Sequence, residues 1–276
     1  MKAVLSVNYN AEHQITHAAV MQTGLRRHGW TVEYSPHDRP TPPGADMVVC
    51  WSVKHTRAWD WRKETGGPVL VMERAALQPR TEYVSLGFNG LAGRGEYCKA
   101  RDGGLRWRTC FEHLQKPWKE PGDGYALIMG QVIGDAALWG VDFRAWAHNR
   151  AVELRALGHR VFYRHHPESL RRRDSWRPSL ALPLSGGLAS SLEGAALVVT
   201  YNSTSAVESV LAGVPTVTCD RGSMAWPVTT HAVPADPIRP GRAAWAHDLA
   251  WHCFTPAEIE SGLAWDHLRE LAPCYA

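Results

Sequence analysis

The chain has 276 residues, 45% of them hydrophobic and 21% charged, with a formal net charge of +3. That composition excludes a disordered chain and supplies apolar surface for one large or two small cores. A charge this small permits an anionic partner without demanding one.

The opening MKAVLSVNYNAEHQ turns polar after Val7, unlike a secretory leader. No apolar run approaches the roughly 20 residues of a membrane span. Residues 3–7 form an apolar strand. Ile15, Ala18, Ala19, Met21 and Leu25 then recur with helical period, and Gly29 ends that helix. WTVEY is a second strand, proline-rich SPHDRPTPPGA a surface loop and DMVVCWS a third strand. HTRAWDWRKETG is a helix, and PVLVME a fourth strand ending at Glu73. The following RAALQPRTEYVSLGFNGLAGRGEYCKARDGG shows no regular pattern and is expected to be a long loop, functional or poorly ordered.

Prolines, glycine and charges coincide in EHLQKPWKEPGDG, which sets a domain boundary. The expected division is 1–118, 119–245, and C-terminal helices over 246–276 packing back on the N-terminal domain. The second half restarts the alternation. YALIMG is a strand, DFRAWAHNRAVELRALG a helix with a glycine stop, and HRVFYRHHP a strand ending in basic residues and Pro167. A short helix follows near LASSLEG. Val198 to Tyr201 then run as a strand into Asn202-Ser203-Thr204-Ser205, whose hydroxyls can cap a helix that Gly213 stops. Thr216 to Thr218 form the next strand. The last segment reads as two helices, with Thr255-Pro256 as cap and first turn of the second. Two successive βαβ arrays predict an α/β chain with two Rossmann-like domains and a ligand cleft between them.

Motif absences narrow the chemistry. There is no G-x-G-x-x-G after the first strand, no G-x-x-x-x-G-K-[ST] and no G-x-S-x-G, so dehydrogenase, P-loop and hydrolase readings lose support. The six cysteines, Cys50, Cys98, Cys110, Cys219, Cys253 and Cys274, have no metal-like spacing. Reduced thiols in a cytoplasmic protein are the expectation. Thirteen tryptophans are many for this length; most suit cores, and indole faces also suit sugars and bases.

Three strand ends of the second half collect polar groups. They are Gln131 and Asp135 in GQVIGD, Arg164 and His166 in YRHHPES, and Asn202, Ser203, Thr204 and Glu208 in YNSTSAVES. Alone, Asn-Ser-Thr reads as capping and His-His-Pro as a solvated strand end. Together on one parallel sheet they suit a phosphate or diphosphate, with Glu208 placed to take ribose hydroxyls.

The order Q-x-x-x-D, [KR]-x-HP and N-S-T-x-x-x-E-x-x-x-x-G-x-P resembles the capsular-polysaccharide glycosyltransferases of the Kdo-transferase kind over residues 127–230. The HP and Ser/Thr pair is also similar to that of bacterial sialyltransferases. The resemblance implies a GT-B fold. It further implies that His166, Ser203 and Thr204 contact donor phosphates, that Glu208 lies near the donor nucleoside, and that Gln131 and Asp135 line the cleft. More loosely, VLVMERAALQPRTEYVSLGFNGLAGRGEYC and the AW…FTPAEIESGLAW tail resemble predicted glycosyltransferases of tailed phages, some of which modify 5-hydroxymethylpyrimidines in DNA.

A sugar transfer of that kind needs a stabilised leaving diphosphate, a general base if it inverts, and a held acceptor. Arg164, His166 and the helix at Ser203-Thr204 would serve the first without an obligatory metal or other cofactor. Glu73 is the first choice as base, with His13 and His17 as alternatives. Glu73 beside Arg74 also reads as a plain ion pair. Arg80, Arg94, Arg106, Trp107 and Arg108 suit an acceptor DNA, and also a solvated surface. The expected activity is transfer of a sugar, from UDP-glucose, to a 5-hydroxymethylpyrimidine of phage DNA. The alternatives are a capsule-type transferase using a CMP- or UDP-activated sugar, a UDP-sugar epimerase, and a non-catalytic DNA- or sugar-binding module.

Overall fold

The computed structural model describes residues 1–54, 56–120, 122, 124–138, 140–234 and 236–271. Cys274 and the first residue of the expected helix HTRAWDWRKETG lie outside them. The chain divides into two compact units, Met1–Phe111 with Ala246–Ala276, and Glu112–Trp245. Its first half runs β1 (Lys2–Val7), α1 (Glu12–Arg27), β2 (Thr31–Pro36), β3 (Met47–Trp51), α2 (Ala58–Thr65), β4 (Val69–Arg74), β5 (Val84–Phe88) and α3 (Leu105–Cys110). Then come β6 (Tyr125–Met129), α4 (Phe143–Ala156), β7 (Val161–Arg164), α5 (Pro167–Arg171), β8 (Leu182–Pro183), α6 (Leu188–Glu193), β9 (Ala195–Thr200), α7 (Ser205–Leu211) and β10 (Thr216–Thr218). The chain closes with α8 (Ala243–Ala250), β11 (Cys253–Phe254), α9 (Pro256–Glu260) and α10 (Leu263–Leu268).

In the first unit the sheet order is β11-β5-β4-β3-β1-β2. β1 is parallel to both β2 and β3, and β3 to β4, whereas β5 and β11 join antiparallel. The period-2 alternation sorts side chains to two faces. Leu5, Val49, Leu70 and Met72 share a core with Ala18, Met21 and Leu25 of α1. Val4, Val48, Cys50, Val69 and Val71 share another with Ala58 and Trp61 of α2.

The segment 75–104 is not the open loop expected from its pattern. It contains β5, buried along its whole length. Gly87 obscures that strand in the sequence, and it is there because Tyr97 packs directly on it: a Cβ would sit 2.6 Å from the Tyr97 ring. The C-terminal segment holds three helices and a strand where two helices were expected. Thr255 caps α9 in a capping box with Glu258. α9 meets α1 backbone to backbone at Gly24, where a Cβ would fall 2.0 Å from the Ile259 carbonyl oxygen.

The second unit is a wholly parallel sheet in the order β10-β9-β6-β7-β8. Counted in chain order within the unit, that is the 3-2-1-4-5 arrangement of dinucleotide-binding sheets, read from the other edge. Phe143, Ala147, Ala151 and Leu154 of α4 cover one face. Leu192 of α6 and Val214 lie over Leu127, Met129 and Val198 on the other. Gly213 has φ 77° and a Cβ there would meet the Pro117 carbonyl oxygen at 1.9 Å, so both conformation and space require glycine.

Candidate functional site

In the second unit the strand order reverses between β6 and β9, the place where open parallel sheets bind ligands at their carboxyl ends. Gln131 and Asn202 stand there, and they hold each other. Gln131 Nε2 donates to Asn202 Oδ1 at 2.9 Å, and Gln131 Oε1 accepts the Asn202 N–H at 3.1 Å. Asn202 Nδ2 also donates to the Ala137 carbonyl at 2.7 Å and to Asp220 Oδ1 at 2.9 Å. Both side chains are buried. Expected as donor-site residues, they clamp three loops into one edge. Asp135 is exposed and accepts the Ala137 N–H at 2.9 Å, which starts a 3-10 turn.

Around that clamp lie the half-buried Arg164, His166, Ser203, Thr204 and Glu208. His166 precedes α5, and its Nδ1 accepts the Glu168 N–H at 3.1 Å. A neutral His166 therefore carries its proton on Nε2, where it can be donated to an anion. Arg164 reaches the Gly186 carbonyl at 3.4 Å through Nη2, while its Nε is sealed without a partner. Burial pulls its pKa down and the Glu208 charge opposes that, so the two groups feel each other. Ser203 Oγ accepts the Ser205 N–H at 3.2 Å and the Ser205 hydroxyl at 2.9 Å. Thr204 occupies the cap position of α7 without a side-chain capping bond. The structure thus brings cation, imidazole, hydroxyls and carboxylate to one sheet edge.

The first unit has its own reversal, between β1 and β3. Trp51 ends β3 on the α1 face and receives two imidazoles one helical turn apart. His17 stacks on the indole at 5.1 Å and 10°, and His13 meets its edge at 4.9 Å and 73°. Ser52 follows with φ 60°, and Ser6 Oγ bonds Thr56 Oγ1 at 3.1 Å nearby in the register. Glu73 is on the other face. It alternates with Val71 and Val69, and its charge, after burial, helps push the Cys50 thiol up to about 12. One of its oxygens accepts the Arg74 N–H at 2.9 Å. The three candidate bases therefore divide between two faces of the sheet.

Arg106 and Trp107, expected at an acceptor surface, are inside the first unit. Arg106 donates to the Ala250 carbonyl at 2.9 Å, to the Cys253 carbonyl at 2.6 Å and to both oxygens of Glu258. It also lies 5.0 Å from the Trp251 ring centroid and 5.4 Å from that of Phe254. Burial alone would raise the Glu258 carboxyl, but the bonds from Arg106 and the Thr255 N–H hold it below the ordinary range. Arg94 and Arg108 are exposed, Arg108 bonding the Gly103 carbonyl at 2.8 Å. Arg80 is half-buried, with Nε 2.7 Å from the Ala75 carbonyl.

No protein-family model and no curated protein sequence matches the chain. Solved structures do. The β-Kdo 2,4 transferase of Thermosulfurimonas dismutans KpsC superposes with a TM-score of 0.63 over 91% of this chain and 90% of that one, at 14% identity. The fold is GT-B. The β-Kdo 2,7 transferase of the same KpsC gives 0.60 over 95% and 97%, at 12% identity. Among the described residues no helix is long and apolar enough to cross a membrane.

Three residues of this GT-B chain carry site geometry that its sequence did not announce. Trp51 reads as an ordinary strand end until the helix face above it is known. Asp220 lies 18 residues from Asn202 and is joined to it only through sheet order. Glu258 shows a capping-box signature, but its second role, against Arg106, spans 152 residues.

Proposed function

We propose that the chain is a nucleotide-sugar-dependent glycosyltransferase that places its donor at the β6/β9 edge. The observation that carries this is the gathering at the carboxyl ends of β6, β7 and β9 of Arg164, His166, the Ser203 and Thr204 hydroxyls and Glu208 around the hydrogen-bonded Gln131–Asn202–Asp220 clamp. A departing diphosphate needs positive charge and hydrogen-bond donors already in place as negative charge develops. Arg164 and His166 provide both, and Glu208 suits the paired hydroxyls of a ribose. Likeness in fold to two Kdo transferases agrees with this class.

The finer reading is UDP-glucose as donor and the hydroxyl of a 5-hydroxymethylpyrimidine in DNA as acceptor. Its support is the exposed Arg94 and Arg108 with the half-buried Arg80 on the irregular part of the first unit, and the loose resemblance to phage enzymes. The second reading is a polysaccharide acceptor with a CMP-activated sugar, favoured by the HP and Ser/Thr pattern. Incubation with UDP-glucose and DNA containing 5-hydroxymethyluracil or 5-hydroxymethylcytosine, followed by mass spectrometry of nucleosides, tests the first. A hexose on the modified base supports it. An unmodified base with intact UDP-glucose removes it, and a CMP-activated sugar consumed in parallel transfers the weight to the second.

A further inference from the structure

We infer that one flank of α4 and the turn after α5 form a docking surface for the phosphodiester backbone of a nucleic acid. This rests on the reading above for DNA as the nucleic acid tested, and on nothing in it for the surface itself. All of that surface belongs to the second unit.

Charge is unevenly placed along the chain. Residues 144–177 hold nine arginines and no lysine, against three carboxylates, Glu153, Glu168 and Asp174. That excess of six is larger than the net +3 of the whole chain, so the remainder is acidic. Five of these arginines share one surface. α4 turns Phe143, Ala147, Ala151 and Leu154 to the sheet. Arg144, His148 and Arg155 line one exposed flank beside that stripe, within about 40° of arc at 100° per residue. Arg144 ties the flank to the turn after α5. Its Nη2 donates to Asp174 Oδ1 at 3.2 Å, and its guanidinium lies 5.4 Å from the Trp176 ring centroid. The turn exposes Arg171, Arg172 and Arg173. One carboxylate, Glu168, serves both Arg171 and Arg172, at 3.2 and 3.0 Å. Arg155 and Arg173 meet no carboxylate among the described residues.

The backbone supplies an independent observation. α1, α4, α7 and α9 are each followed by a left-handed glycine, Gly29, Gly158, Gly213 and Gly262. After α5 that position is Arg173, with φ 60°. A residue with a Cβ is strained there, and glycine would hold the same turn more easily. The turn is nevertheless closed. The Arg173 N–H donates to the Leu170 carbonyl at 2.9 Å, and the Asp174 N–H to that of Ser169 at 2.9 Å. The chain keeps a cation where those other helix ends keep glycine, which points to a use for the side chain.

The chemistry of the surface selects its partner. Guanidinium forks pair bidentately with phosphate, which a set of arginines without lysine favours. Arg144 and Arg155 lie about 16 Å apart along α4 at 1.5 Å per residue. That span meets several phosphates of one strand, which follow one another every ~3.4 Å along a duplex. A lipid surface fits less well, because the apolar stripe of α4 is buried against the sheet and cannot insert. An acidic polysaccharide offers its charges farther apart.

Fluorescence anisotropy of a short labelled duplex tests this on the full chain, over a series of salt concentrations. Unlabelled duplex, hyaluronate and phosphatidylglycerol vesicles serve as competitors. The variants are Arg155→Gln, Arg173→Gly, the triple Arg171→Gln/Arg172→Gln/Arg173→Gln, and Arg94→Gln/Arg108→Gln in the first unit. Each phosphate contact contributes about 0.9 to the slope of log affinity against log salt. Arg155→Gln and Arg173→Gly should each lower that slope by about one, and the triple variant by about three, with binding weakened about tenfold or more. Arg173→Gly should melt no lower than wild type, since the turn favours glycine, which separates a lost phosphate contact from a damaged fold. Arg94→Gln/Arg108→Gln should change affinity less than the triple variant, and the reverse order overturns the proposal. So does a wild type without salt-dependent affinity for the duplex, or one displaced more readily by hyaluronate or vesicles than by unlabelled duplex at equal charge. An Arg173→Gly variant that melts lower with DNA affinity unchanged overturns it too. Hexose transfer to hydroxymethylated DNA, with the triple variant keeping wild-type affinity and slope, removes this surface and leaves the acceptor reading. Duplex binding lost in the triple variant, with no transfer by wild type, removes the acceptor reading and leaves this surface.

Discussion

Replacing His252 by phenylalanine should flatten the acid side of the stability curve. His252 lies between α8 and β11, its ring stacked on Tyr97 at 3.9 Å and its Nδ1 sealed without a partner. Burial pushes its pKa down to about 3, with Asp248 opposing, from the ordinary histidine value of 6.5. Folded chain and unfolded chain are therefore both neutral here above about pH 7. Below that, the unfolded chain takes a proton that the folded chain refuses, and stability falls until about pH 3. Linkage over those two values gives a loss of about 2 kcal/mol between pH 7 and pH 5, an upper figure because the residue keeps some exposure. In a domain of this size that is about 4–8 °C in melting temperature. Melting His252→Phe and wild type at pH 7 and pH 5 isolates the effect, since the other titrating groups are common to both. The variant should lose several degrees less than wild type. Parallel losses would show that His252 does not titrate differently on folding, and that its stack on Tyr97 does not keep out a proton.

Other outcomes follow from single contacts. Arg106→Met leaves the half-buried Glu258 without its cation and should cost about 3 kcal/mol, the low end for a broken buried pair, by urea denaturation. Because the folded Glu258 pKa is depressed, the stability it contributes is present above the ordinary carboxylate value and is lost as pH falls through the folded one; Glu258→Gln should remove that acid dependence. Gly213→Ala combines a left-handed φ of 77° with a 1.9 Å approach to the Pro117 carbonyl, and should destabilise by more than about 1 kcal/mol, read as a lower melting temperature. His166→Ala should weaken UDP binding roughly tenfold or more in calorimetry, the scale of one charge-assisted hydrogen bond, with the fold retained and the melting temperature lowered by only the few degrees that loss of the α5 cap costs.

Much of the fold is legible because strand and helix periods are local. The strand into Asn202-Ser203-Thr204, the helix after it and the Gly213 stop come directly from residue types, and the structure has them in that order. Period cannot reveal what a distant residue does to a local pattern. β5 hides because Gly87 makes room for Tyr97. Arg106 reads as a surface cation because its carboxylate is 152 residues away. Gln131 and Asn202 look like ligand contacts, and only the adjacency of β6 and β9 shows that each engages the other. The same limit applies to the bases. Glu73 and His17 both sit near strand ends, and only the alternation along β3 and β4 puts them on opposite faces.

The return of residues 246–271 to the first unit has a consequence for the order in which the protein matures. Synthesis delivers residues 1–111 first, yet at that moment the edge strand β11 does not exist, Gly24 has no α9 to meet, and Arg106 has no carboxylate. The second unit is one uninterrupted stretch, 112–245, and lacks none of its strands when it leaves the ribosome. Vectorial folding from the N-terminus is therefore inverted here: the later unit can complete before the earlier one, which must wait for residues 246–271 to emerge.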